Sequence, residues 1–434
     1  MADTLLSVGL DVGTTTTQMI VSRLTVENKA TGFAVPEMEI GEREILYRGK
    51  VHFTPLLEGK RVDKEGLKTL VDREYALAGI KREQVDTGAV IITGETSRKE
   101  NAKTALEALS QYAGEFVVAT AGPDLESVLA AQGAGAVDYS EKTGKLVLHM
   151  DIGGGTSNLC LIKEGKILAT GCLNVGGRLI KRDDYGNVTY RSPVLSYTQE
   201  TDIPKMIGDM VSALEMAAGL RPADERLWRF MTEEITVPWE IPKERPVISF
   251  SGGVADCIEK EHPPLAFGDI GPELGRAIRD SRLCKGEYIL GTETIRATVI
   301  GAGCYSTTLS GSTVFYQNVQ FPMKNLPVVE FAAGKTALEG ETVVYSIPEE
   351  GKFSYDRVHR LAEALAKEIP GAIYVALQAD AAKALGHCLC LLVPPDRPIC
   401  CIDRVKLNAG SFLDIGAPVG PALPVVIKTL ILSQ

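Results

Sequence analysis

Two stretches of this chain, far apart in sequence, share one layout. Leu5-Leu6-Ser7-Val8-Gly9-Leu10 is a short apolar run that reads as a buried strand, and it leads into Asp11-Val12-Gly13-Thr14-Thr15-Thr16-Thr17. Gln18-Met19-Ile20-Val21-Ser22 then reads as a second strand. Later, Leu146-Val147-Leu148-His149-Met150 leads into Asp151-Ile152-Gly153-Gly154-Gly155-Thr156-Ser157-Asn158, and Leu159-Cys160-Leu161-Ile162 continues as a strand. One such hairpin is an ordinary turn. Two of them, about 140 residues apart, predict a duplicated unit whose loops face a shared ligand. Glycine lets a backbone approach a ligand closely, and hydroxyls and bare amides donate to phosphate oxygens.

With 434 residues the chain is long enough for two or three domains, each with its own core. A net charge of -10, with no long run of like charge, disfavours a nucleic-acid partner. The amino terminus lacks the basic region, apolar core and cleavage site of a signal peptide. No stretch of about 18 apolar residues predicts a membrane span. Nine cysteines, an odd number, speak against a complete set of internal disulfides. His387-Cys388-Leu389-Cys390 and Cys400-Cys401 lack C-x-x-C spacing, and read as buried thiols in a reducing cytoplasm rather than as a metal site.

Along the chain, residues 31–44 read as a surface excursion and 44–53 as a third strand. Asp63 is placed to cap a helix through about Ala78, with Leu67, Leu70, Val71 and Tyr75 on one face. Gly88 to Thr93 reads as an inner strand, followed by a helix opening at 94–100 and running to about Tyr112. The small residues Ala130-Ala131-Gln132-Gly133-Ala134-Gly135-Ala136 predict a close helix crossing between two halves, and Ile295 to Gly303 repeats the theme. Gly176 to Ile180 is expected to close the second sheet, with 181–200 running over the surface. Pro246 to Phe250 reads as a strand running into Ser251-Gly252-Gly253-Val254-Ala255-Asp256, a third glycine-rich exit. Past about residue 310, strands at 328–332, 342–346, 372–377 and 424–432 alternate with helices at 355–368 and 379–387. The expected division is therefore 1–145, 146–309 and a separate α/β module, 310–434.

Two opposed hairpins and a Ser-Gly-Gly turn suit a nucleoside triphosphate. Gly13, Thr14, Thr15 and Thr16, with Gly153, Gly154, Gly155 and Thr156, are the candidate phosphate contacts. Asp11 and Asp151 are the candidate catalytic residues and, as hard oxygen ligands, hold magnesium through retained waters. Ser251, Gly252 and Gly253 would let adenosine lie against the backbone. There is no Walker A sequence and no G-x-G-x-x-G after the first strand, so neither a P-loop ATPase nor a dehydrogenase is indicated. Glu95 and Asp256, at strand ends, are candidate bases, though a helix cap is the simpler reading of Glu95.

In their order these segments resemble the actin-like ATPase superfamily of sugar kinases, heat-shock ATPases and actin. The first phosphate loop looks like 11–17, the first connecting element like 130–137, and the second phosphate loop like 151–158. The adenosine loop looks like 248–256 and the second connecting element like 296–303. Within that superfamily the chain resembles the EutA family of ethanolamine ammonia-lyase reactivating factors. The likeness rests on Gly9 to Gln18, Ile92 to Asn101, His149 to Asn158, Gly301 to Ser306, and the tail from Leu413 to Thr429. It implies an α/β fold of duplicated, ribonuclease H-like actin-like ATPase halves with a nucleotide cleft between them, plus a C-terminal α/β module; the resemblance does not give the client-binding surface, for which the module at 310–434 is our own candidate. It implies ATP and Mg2+ as cofactors and the adenosylcobalamin-dependent lyase as protein client, from which damaged cobalamin leaves so that an intact one can enter. The implied setting is the bacterial cytoplasm during ethanolamine degradation, often associated with a proteinaceous microcompartment. A small-molecule kinase of the same superfamily is the alternative, and a polymerising actin-like protein a third reading.

Overall fold

The computed structural model describes residues 3–13, 16–28, 38–57, 61–93, 109, 117–120, 123–195, 203–232, 239–291, 293–305, 307–309, 314–332, 342–405, 407, 411–418 and 422–429. The first hairpin forms as its apolar alternation requires. Asp3–Val12 pairs antiparallel with Thr16–Asn28, which pairs in turn with Met38–Arg48. On the other side Thr87–Ile92 and then Val117–Thr120 join in parallel. Counted along the chain, these five strands lie across the sheet in the order 3-2-1-4-5, with His52–Phe53 added beside Thr16 and Thr17.

A second sheet repeats this plan. Leu146–Ile152, Ser157–Lys163, Lys166–Leu173, Val247–Ser251 and Tyr288–Leu290 lie in the same 3-2-1-4-5 order, antiparallel on one side and parallel on the other. The parallel central strands are buried on both faces, which is why Thr87–Ile92 and Leu146–Ile152 read as apolar runs rather than as alternations. This duplicated topology is the actin-like, ribonuclease H-like architecture.

Helix Lys64–Ala78 buries Leu67, Leu70, Val71 and Tyr75, and Leu67, Val71 and Tyr75 share a core with the first sheet. Its first turn is capped by the Asp63 carboxylate, which accepts from Gly66 N, and Gly79 ends it in the left-handed region. Ile203–Ala217 and Gly271–Arg279 cover one face of the second sheet.

The other two faces are covered by exchange. Pro123–Gly133 follows the first sheet in sequence, yet Ala131 packs among Val147, Cys160 and Ile162 of the second. Ala297–Tyr305 follows the second sheet, yet Val299, Ile300 and Cys304 pack among Leu5, Ile20 and Leu24 of the first. The two helices cross backbone to backbone, as the small residues predict. A Cβ on Gly133 would lie 1.9 Å from the Ala297 carbonyl oxygen, and one on Gly301 would lie 2.0 Å from that of Leu129. Only glycine permits that approach.

Among the described residues, the last sheet has eight strands. Val344–Ile347, Ile373–Leu377 and Ile399–Ile402 run parallel, joined by Tyr355–Glu368 and Ala382–Leu392, whose apolar residues share one core on a single face. Met323–Glu330 bridges this part to Ser411–Ile415, and Pro424–Thr429 pairs with both Ser411–Ile415 and Thr307–Leu309.

Several expectations are corrected. Gly176 to Ile180 does not close the second sheet: Ile180–Arg182 and Val188–Arg191 form a separate two-stranded sheet. The cause lies in two backbone bonds, Gly177 N to Gly153 O and Arg178 N to Gly154 O, which pull the chain onto the second turn. The expected excursion at 31–44 gives way to strand from Met38. The helix expected at 379–387 is Ala382–Leu392, and Ile399–Ile402 and Ser411–Ile415 are strands that periodicity did not single out. The helix expected at 94–112 falls almost wholly outside the described residues. Cys400 and Cys401 are buried, whereas Cys388 and Cys390 are only partly so. Among the described residues, no helix is long and apolar enough to cross a membrane.

Candidate functional site

The two hairpins are superimposable in their pairing. Asp11 is opposite Gln18 and Val12 opposite Thr17, while Asp151 is opposite Asn158 and Ile152 opposite Ser157. Gly13 N donates to Thr16 O at 2.9 Å, and Gly153 N donates to Thr156 O at 2.9 Å. The first turn is also braced by Thr54, whose hydroxyl donates to Gly13 O at 2.8 Å. Thr14 and Thr15 lie outside the described residues.

Each aspartate is served by a hydroxyl at the end of the neighbouring parallel strand. Thr93 Oγ1 donates to Asp11 Oδ1 at 3.0 Å, and Ser251 Oγ donates to Asp151 Oδ1 at 2.5 Å. Thr298, on the crossing helix, reaches Asp151 Oδ2 at 3.5 Å. Burial pushes the Asp11 carboxyl up to about 7, partly offset by Thr93, and the charge of Asp151 adds to the rise. Burial pushes Asp151 up to about 6 against the lowering effect of Ser251 and Thr298. His149, buried beside Ser249 and Ser251, is pushed down to about 3 by burial and is neutral. The duplicated fold has thus brought two carboxylates from separate sheets within electrostatic reach. Acids so arranged, Asp151 buried and Asp11 half-buried, favour a cation between them.

Gln18 supports the same reading. Its Nε2 donates to Ile295 O at 3.2 Å, joining the two sheets' elements, while its buried Oε1 has no hydrogen-bond partner among the described residues. An acceptor without a donor, on the residue paired across the hairpin with Asp11, suits a hydrated divalent ion whose waters donate to it and to the carboxylates. The residues present therefore fit magnesium.

The remaining candidates divide. Gly155 and Gly253 are exposed. Gly252, at φ +87°, takes its glycine conformation to pass the hairpin, since a Cβ there would lie 2.3 Å from Ile152 O. Ser251 is fully buried, its hydroxyl committed to Asp151. The Arg178 stem lies against Gly154, and its guanidinium is held by Asp269 at 3.3 Å. Asp256 accepts from Thr294 at 2.5 Å and lines a cavity of about 320 Å³ with Glu259, Lys260, Glu293 and Arg296. Glu293 also pairs with Arg48 at 2.6 Å, and Arg296 donates to Gly49 O, so this cavity sits where the two sheets' elements meet. Glu95 lies outside the described residues. Thr93, Thr298, Gln18 and Arg178 were not singled out by sequence. Only Thr298 carried a signal, as the one aliphatic hydroxyl in a helix otherwise of small and apolar residues up to its terminal Tyr305.

A family model described as ethanolamine utilisation protein EutA matches residues 3–348 and 335–433. The chain is 39% identical, over 98% of each protein, to a Salmonella typhimurium protein named ethanolamine ammonia-lyase reactivase EutA. It is 38% identical, again over 98% of each, to an Escherichia coli protein of the same name. Among solved structures, a Ppx/GppA family member from Aquifex aeolicus is similar over 69% of this chain and 97% of its own, at 13% identity and a TM-score of 0.42. Ethanolamine utilization protein EutJ from Carboxydothermus hydrogenoformans is similar over 68% and 88%, at 16% identity and a TM-score of 0.35. The repeated strand order, rather than these loose likenesses, fixes the fold. With a matching model along nearly all its length and relatives well above a third identical, the chain belongs to the EutA family of ethanolamine utilisation proteins.

Proposed function

We propose that this protein is an ATP-dependent reactivase of ethanolamine ammonia-lyase. The observation that carries the nucleotide part is the facing of Asp11 and Asp151 at the turns of two matched hairpins. The client is supported by the names of the two relatives. Those names favour reactivation over the alternative of a small-molecule kinase.

In this reading Gly13 and Thr14 to Thr16 on one side, and Gly153 to Thr156 on the other, contact the phosphates through amides and hydroxyls. Asp11 and Asp151 would hold magnesium, with Gln18 Oε1 as a further acceptor. Magnesium, when bound, offsets the negative charge of the phosphates. Gly253 and the cavity beside Asp256 receive the nucleoside, while Ser251 orients Asp151. Helices Pro123–Gly133 and Ala297–Tyr305 form the hinge: Thr298, on the second of them, lies 3.5 Å from Asp151, so a shift of that carboxylate would be felt at the crossing. Nucleotide binding shifts the population of cleft closures and so the surface offered to the lyase. The client then releases damaged cobalamin and takes up adenosylcobalamin. We assign client contact to the module past residue 310, where Leu391 is 87% exposed at the end of its helix. The setting we propose is the bacterial cytoplasm, in association with a proteinaceous microcompartment.

The test is reconstitution. Lyase inactivated with cyanocobalamin is incubated with this protein, ATP and magnesium, and adenosylcobalamin is added. Recovered activity that needs all components is the expected result. Phosphate transfer to ethanolamine or a sugar, without recovery, would replace this reading with the kinase.

A further inference from the structure

We infer that His149 is a positioning residue for Asp151, acting through Ser251; the inference rests on the magnesium-nucleotide reading above. His149 stands two residues before Asp151 on one strand, so both side chains leave the same face of the sheet. On the parallel neighbour, Ser249 is in register with His149 and Ser251 with Asp151. His149, Ser249 and Ser251 are all fully buried. His149 Nδ1 lies 2.9 Å from Ser249 Oγ, and Nε2 lies 2.9 Å from Ser251 Oγ. Ser251 Oγ in turn lies 2.5 Å from Asp151 Oδ1.

These distances allow one arrangement of protons when Asp151 is ionised. A carboxylate only accepts, so Ser251 gives its single hydroxyl proton to Asp151. Ser251 must then accept from His149, which places the imidazole proton on Nε2. Nδ1 is left as an acceptor and takes the Ser249 proton. The row therefore runs in one direction, from Ser249 through His149 and Ser251 to Asp151. Its effect is to keep the Ser251 hydroxyl turned toward Oδ1. Oδ2, whose contact from Thr298 is long at 3.5 Å, is left as the freer oxygen for a hydrated cation. Outer partners of this kind set the orientation of a metal-binding side chain without touching the metal. A histidine that merely filled the core would matter for stability alone.

Wild type, His149→Gln and His149→Asn separate these roles. Glutamine places an amide N–H near the Nε2 position and keeps the donor to Ser251. Asparagine reaches only as far as Nδ1 and loses it. ATP binding is measured by calorimetry at stepped MgCl2 concentrations, with thermal midpoints recorded alongside. The magnesium concentration for half-maximal ATP binding is expected to rise about 10–100-fold in His149→Asn and to stay within about three-fold in His149→Gln. This is expected even where both variants lose thermal stability alike. An unchanged magnesium requirement in His149→Asn, or losses that follow the thermal midpoint in both variants, overturns the inference. Should His149→Asn not fold, Ser249→Ala carries the test. It removes the group that fixes the tautomer, and the magnesium requirement is expected to rise roughly a few-fold. No rise overturns the inference. A wild-type protein that binds no ATP at any magnesium concentration overturns the functional reading and this inference together. A wild type that binds while the variants match it overturns this inference alone.

Discussion

Asp11 and Asp151 belong to different sheets, yet the charge on Asp151 helps hold the Asp11 carboxyl up at about 7. Both groups sit at the same place in a repeated hairpin. Duplication therefore brings together, from one local pattern, two carboxylates that neither half holds alone, as the candidate site. Two acids within electrostatic reach resist ionising together, and a divalent cation removes that resistance.

A pH dependence follows, with a defined sign. The folded values, about 7 for Asp11 and about 6 for Asp151, lie above the ordinary carboxyl value of 3.8. Their contribution to stability is complete below about pH 4 and is lost as pH rises through about 6 to 7. His149 acts oppositely: held down at about 3 from 6.5, it contributes stability above about pH 6.5 that is lost as pH falls. The Asp11 contribution is isolated by comparing wild type with Asp11→Asn in thermal unfolding without nucleotide. The variant is expected to gain on wild type between about pH 4 and pH 7, by up to about 1.4 kcal/mol per pH unit, and to gain no further above that. Saturating magnesium-ATP should flatten the wild-type curve. Asp11→Asn and Asp151→Asn should each abolish ATP-dependent reactivation of the lyase while remaining folded.

The helix crossing gives a second expectation. Gly133→Ala and Gly301→Ala each set a methyl group about 2 Å from a carbonyl oxygen, so the helices must part. A cost of about 1–3 kcal/mol is expected from the overpacking. Nucleotide-induced stabilisation should shrink as well, since Thr298 on one of these helices meets Asp151. Gly208→Ala is the control. Gly208 is exposed within Ile203–Ala217 and open around its Cβ position, so alanine there should stabilise by about 0.5–1 kcal/mol. Thermal shifts with and without magnesium-ATP measure both effects.

Arg178 gives a third. Its stem lies on Gly154 of the second turn, and Asp269 holds its guanidinium in place. We propose that the guanidinium meets the phosphates when nucleotide binds at this turn; Arg178→Ala is then expected to weaken ATP binding roughly ten-fold, because a hydrogen bond to a charged group is worth about 1.5–3 kcal/mol. Adenosine binding should change little. Calorimetric titration with each ligand checks the difference, and equal losses for both would assign Arg178 to the fold rather than to phosphate.

Much of this was legible in the sequence because it was written locally. The hairpins announce themselves through an aspartate and a glycine-bearing turn between apolar runs. Helix Lys64–Ala78 has its cap in Asp63, and Tyr355–Glu368 has one in Ser354. The crossing was visible because close backbones demand runs of small residues. What stayed hidden depends on which strands become neighbours. Ser251 reads as a ligand-facing residue until strand order sets it against Asp151, and Thr93 is an unmarked strand end until it meets Asp11. The fate of Gly176 to Ile180 turned on backbone bonds to the second hairpin that no side-chain pattern encodes.

The most direct measurement is a crystal structure with a non-hydrolysable ATP analogue and manganese in place of magnesium, read by anomalous scattering. The expected result is one manganese peak between Asp11 and Asp151, beside Gln18 Oε1, with phosphates against both glycine turns. A nucleotide bound elsewhere, or a metal held by neither aspartate, would contradict the account.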